Sequence, residues 1–134
     1  MKARFIPVCI AVVLVVSCHS SPRFDPVERL QTLWTTSLVK DPHFANYKDD
    51  LQKSIFNSKN LYLETVTGNH AYEGTRSIRD SPKDTARWIW YGTPDDVKKH
   101  KRLVAVSGGF DSGGWVCYFD MKGNLVLFHL IPEG

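Results

Sequence analysis

At Leu61 the spacing of apolar residues in this chain changes from about 3.6 to two, and that change limits the fold more than any other feature. Before it, Asp25, Pro26 and Glu28 form a helix start: an N-cap acid, a proline at the first helical position and an acid three residues after the cap. Val27, Leu30, Trp34 and Leu38 follow at spacings of three or four, with Leu33 widening the stripe, so one amphipathic helix is expected to about Val39. Asp41-Pro42 stops it and starts a second, whose apolar face is Phe44, Tyr47, Leu51 and Ile55. After the switch, Leu61 to Thr67, Ala86 to Tyr91, Leu103 to Ser107, Trp115 to Met121 and Leu125 to Ile131 read as strands. Lys122-Gly123-Asn124 joins the last two as a short hairpin.

Helices followed by strands imply an α+β domain. The expectation is two N-terminal helices packed on one face of an antiparallel sheet of about four to five strands, in a single domain over 24–134. Residues 68 to 85 are polar and show no apolar period, so they are expected as a long surface loop. Thr93, Pro94 and Asp96 repeat the helix start signal ahead of a basic run, Lys98, Lys99, His100, Lys101 and Arg102.

The N-terminus has a different character. Lys2 and Arg4 precede an apolar run from Phe5 to Val16, only 12 residues long, whereas a bilayer span needs about 20. The run ends in Val15-Val16-Ser17-Cys18, which resembles the lipobox of bacterial lipoprotein precursors: an aliphatic residue, a small or aliphatic one, a small one, then cysteine. That resemblance implies removal of a signal peptide, residues 1–17, and acylation of Cys18 on its thiol and its new amino group. Residues 18–23 then form a lipidated tether. Several acyl chains would anchor the protein firmly, since each buried CH₂ contributes about 0.8 kcal/mol. His19 stands where lipoproteins retained at the inner membrane commonly have Asp, so the resemblance favours the outer membrane.

Loss of Lys2 and Arg4 reduces the formal charge from +3 to +1, too little basic excess for a nucleic-acid binder. The same cleavage removes Cys9, and the lipid occupies Cys18. Cys117 is then the last thiol, so no intramolecular disulfide is expected, and its place in the alternating strand Trp115 to Phe119 reads as core.

Catalytic and metal chemistry have no motif here. The histidines at 19, 43, 70, 100 and 129 lack ligand spacing, no Gly-x-Ser-x-Gly elbow is present, and the acid pairs Asp49-Asp50 and Asp95-Asp96 diverge on their helices. No enzyme, metal or cofactor is expected. An enzyme would need His43, His70 or His129 to meet Asp111 or Cys117 in one cleft. Two segments stand as candidate contacts. Ser107 to Gly114 places Phe110, Asp111 and Ser112 between glycine pairs, as a turn or as a binding loop with Phe110 as apolar anchor and Asp111 as polar contact. Lys98, Lys99, Lys101 and Arg102 read either as a dipole-matched helix end or as a patch for an anionic partner.

Two further resemblances concern the domain. The lipobox, two helices, an aromatic strand and the terminal pattern Phe119-Asp120-x-x-Gly123-x-Leu125 are similar to the small lipoproteins of the outer-membrane barrel-assembly machinery, which pack two helices on a three-stranded sheet. This chain lacks their Gly-Met-Thr lead-in and has additional strand signals. The Ser-Gly segment resembles the loop that lysozyme-inhibitor lipoproteins insert into a cleft, although those are all-β and carry cysteines absent here. The functional expectation is a lipid-anchored, non-enzymatic module of the cell envelope that binds a protein partner and contacts the membrane through Cys18, as an inhibitor, immunity protein or assembly accessory. The alternative is a small-ligand or lipid-binding lipoprotein with a pocket between helices and sheet, lined by some of Trp34, Trp88, Trp90 and Trp115.

Overall fold

Helix α1, Pro26–Thr36, begins where its cap residues place it: Asp25 is extended and its carboxylate accepts from the backbone N–H groups of Val27 and Glu28, at 3.1 and 3.2 Å. In the computed structural model, which describes residues 22–79, 89–111 and 113–132, this helix is shorter than its apolar period suggested. Thr35 and Thr36 turn their hydroxyls back onto the carbonyls of Gln31 and Thr32, and the chain tightens into a 3₁₀ turn at Leu38–Lys40. Asp41 then caps the next segment through the N–H of His43. That segment opens as a 3₁₀ turn, Pro42–Tyr47, before becoming helix α2, Lys48–Ile55.

Among the described residues, five strands make one antiparallel sheet: β1, Tyr62–Val66; β2, Ile89–Tyr91; β3, Leu103–Phe110; β4, Gly113–Phe119; and β5, Leu125–Pro132. Their spatial order is β1-β3-β4-β5-β2, so β3, β4 and β5 form the centre and β1 and β2 the edges. The α+β class and the N-terminal helices ahead of the sheet match the sequence reading.

The second face of the sheet departs from it. Residues 68–85 were expected as loop, but Gly68–Arg79 is helix α3; residues 80–85 lie outside the described residues. Thr67 caps α3 through the N–H of His70, and over its described side chains, residues 68–75, the helix buries Gly68, Ala71 and Thr75. Thr75 satisfies its hydroxyl on the carbonyls of Ala71 and Tyr72. Small residues and a hydroxyl carry little hydropathy signal, so this part of the buried stripe does not show in the sequence. The short helix α4, Pro94–Lys98, has the expected start, with a reciprocal capping box between Thr93 and Asp96.

Strand parity divides the core in two. Val104, Val106, Trp115, Cys117, Phe119, Phe128 and Leu130 face α1 and α2, meeting Leu30, Trp34, Leu38, Phe44, Leu51 and Ile55. Leu103, Ala105, Tyr118 and Leu127 face the other way, onto Ala71 of α3 and Val97 of α4. A bulge opposite Tyr118 and Phe119 lets Val126 and Leu127 both serve this second face. Gly68 makes that layer close: a Cβ there would collide with the carbonyl oxygen of His100 and lie 2.6 Å from that of Val97.

Candidate functional site

Within the glycine-rich segment from Ser107 to Gly114, residues 107–110 and 113–114 are strand rather than loop. Gly108 pairs with Trp115, Gly109 with Gly114 and Phe110 with Gly113, because a ladder is made by backbone groups and does not need side chains. Of the expected turn, Asp111 is a turn residue between the two strands, and the candidate contact Ser112 lies outside the described residues. A buried serine holds this hairpin to the helical layer. The Ser54 hydroxyl of α2 donates to the carbonyl of Gly109 at 3.0 Å and accepts from the Trp115 indole N–H at 2.8 Å. Phe110, read as an exposed anchor, is instead half-buried, its ring tilted against Tyr47 with centroids 6.4 Å apart. Asp111 is exposed.

Beside this tip runs an edge that sequence reading passed over. β1 pairs with β3 from Tyr62 opposite Ser107 to Val66 opposite Leu103, and its other side has no described strand neighbour. Leu61, Leu63 and Thr65 were read as one strand face, yet Leu63 is 48% exposed and Tyr62, on the opposite face, 64% exposed. Tyr62–Val66 contains no Pro, Lys or bulge, and its one charged side chain is the exposed Glu64. Phe110 lies three residues beyond Ser107 on the adjoining strand, about 10 Å along it. Tyr62, Leu63 and the hairpin tip therefore share one corner of the sheet.

The basic segment occupies the other end. Lys98 sits over the Tyr72 ring at 5.0 Å, and Lys99 pairs with Asp96 at 3.6 Å. Thr93's hydroxyl, ahead of that lysine, holds the Asp96 carboxyl below the usual range. Lys101 and Arg102 are exposed. β3 starts where β4 ends, Val104 facing Phe119, so this segment abuts the turn 120–124. There Asp120 accepts from the backbone N–H groups of Lys122 and Asn124, both at 2.9 Å, and from the Asn124 side chain at 3.0 Å. Burial raises the Asp120 pKa, but these bonds, helped by the charge of nearby His100, outweigh it and hold the carboxyl below its ordinary value. Gly123 takes a positive φ of 93°, which its lack of a side chain permits, and its carbonyl accepts from Arg29 at 2.7 Å. Phe24 meets Phe119 edge-on nearby, with centroids 5.5 Å apart.

The groups that an active site would need are kept apart. Cys117 faces the α1/α2 layer, where burial pushes its thiol far up from the ordinary range. His129, fully buried and opposite Val116, faces the other side of the sheet, and burial pushes its pKa down from 6.5 to about 4. Neighbouring strands bring them close in chain geometry, but parity puts the sheet between them. His43 bonds to Asp41 at 2.8 Å, and His70 is exposed at the start of α3. Among the described residues no three His, Cys, Asp or Glu side chains gather as metal ligands, and no helix is long and apolar enough to cross a membrane.

Trp34 and Trp115 are core residues: Trp115 stacks on Phe128 at 5.8 Å, Phe44 meets Phe128 edge-on at 5.3 Å, and the Trp34 N–H donates to Gln52. Trp88 lies outside the described residues, as does Cys18. An open groove of about 300 Å³ lies on the outer side of α1, lined by Glu28, Gln31, Thr32, Thr35, Thr36 and the exposed Phe56. Comparison with protein-family models, known proteins and solved structures finds no match to this chain.

Proposed function

We propose that this chain is a lipid-anchored, non-enzymatic protein-binding module of the cell envelope, processed after Ser17 and acylated at Cys18, of the inhibitor, immunity or envelope-assembly kind. The observation that carries it is the edge strand β1, which has no strand neighbour on one side among the described residues and exposes Tyr62 and Leu63 on opposite faces. An extended segment of a partner can add to such an edge, its backbone supplying affinity and its alternate side chains meeting Leu63 on one face and Tyr62 on the other. Asp111 at the adjoining hairpin tip adds a polar contact, while Phe110 serves mainly to hold the tip on Tyr47. The ligand-pocket alternative draws less support, because aromatic side chains fill the described space between helices and sheet.

The test is recovery of partners by the full chain from detergent-solubilised membranes. Leu63→Lys should abolish recovery of one specific protein, and Asp111→Ala should weaken it. An unchanged set of proteins with both variants would remove the edge assignment.

A further inference from the structure

We propose that the end of the domain formed by Arg23, Lys98, Lys99, Lys101, Arg102 and Lys122 is a docking surface for a membrane bearing anionic phosphate headgroups, opposite the corner that meets the protein partner. The inference rests on the anchor at Cys18 proposed above.

Chain reach gives the first argument. Five residues separate Cys18 from Phe24, at most about 22 Å of extended chain. Phe24 is fixed edge-on to Phe119, and Arg29 ties the start of α1 to the turn 120–124. Whatever holds Cys18 at a bilayer therefore holds the Phe24 end of the domain within about 22 Å of it, so that this end can settle onto the surface, within the roughly 10 Å over which its charges act.

The charges at this end supply the second. All six cationic side chains are exposed. The carboxylates among them are mostly turned to local donors: Asp25 caps α1, Asp96 closes the α4 capping box and Asp120 organises its turn. Glu28 and Asp95 are the acids left pointing at solvent. These carboxylates keep their charge, and Asp96 also pairs with Lys99, so the six exposed cations outnumber the acids at this end by one; at an anionic leaflet each exposed Lys or Arg adds to binding. Topology supplies the third argument: β3 begins at this end and its hairpin tip lies at the other, so a docked domain presents Tyr62, Leu63 and Asp111 away from the bilayer.

The experiment is lysine acetylation of the full chain, isolated from membranes and reconstituted in vesicles of phosphatidylglycerol with phosphatidylcholine or of phosphatidylcholine alone. In anionic vesicles Lys98, Lys99, Lys101 and Lys122 should label at least about fivefold more slowly than the exposed Lys53 and Lys59, which lie on α2 and just after it. High salt, or Lys101→Glu with Lys122→Glu, should erase the difference for the remaining lysines. Equal labelling of both groups in anionic vesicles overturns the proposal. Equal protection by inorganic phosphate without vesicles also overturns it, in favour of a soluble phosphate site. Intact mass of the isolated chain separates this failure from that of the anchor: absence of acyl mass at Cys18 sinks the anchor reading, whereas uniform labelling of an acylated chain sinks the orientation alone.

Discussion

His129 is the residue with the most to say about solution behaviour. It is fully buried between β4 and β2, opposite Val116 and Trp90, and desolvation pushes its pKa down to about 4 from 6.5. A depressed histidine is neutral in the folded chain while the unfolded chain takes up a proton, so stability is whole above pH 6.5 and falls as pH drops toward 4. The loss should approach roughly 3 kcal/mol across that window. Urea unfolding at several pH values should show this slope, and His129→Leu should flatten it; an unchanged slope would place the acid sensitivity elsewhere. Sequence alone could class both His129 and Cys117 as strand residues of the core. It could not place them on opposite faces, because that depends on the pairing of β4 with β5, and register is a long-range property.

Among the elements, those with strong local chemistry were legible. Asp25-Pro26 and Thr93-Pro94 announced α1 and α4 because caps act within three residues. Helix α3 does not show in the hydropathy pattern because the residues buried in its described part, Gly68, Ala71 and Thr75, pack by being small. The glycine-rich segment misled in the opposite direction: glycines that suggest a loop are here strand residues, and Ser54 bonds to the backbone beside them. Gly68→Ala tests the α3 contact directly. Its new Cβ must push α3 away from the carbonyls of Val97 and His100, and overpacking of this kind costs about 1–3 kcal/mol. Hydrogen exchange should then accelerate in α3 and α4 well before the α1/α2 layer; uniform acceleration would mean that the two faces unfold as one unit.

At the scale of the whole molecule, the sheet sorts its surfaces by end and edge. The start of α1, the turn 120–124 and the basic segment share one end, and the exposed strand β1 with the hairpin tip forms the far corner. The lipobox made the anchor legible as an expectation, since that signal is a run of four residues. The corner was not legible, because the exposure of Tyr62 and Leu63 follows from β1 being placed last in the sheet order rather than beside its neighbours in sequence. The most direct measurement is photo-crosslinking in intact cells from a benzophenone amino acid placed at position 63 or at position 101 of the full chain. The account predicts a discrete protein adduct from position 63 and lipid adducts without that protein from position 101. The same protein adduct from both positions, or from position 101 alone, would contradict it.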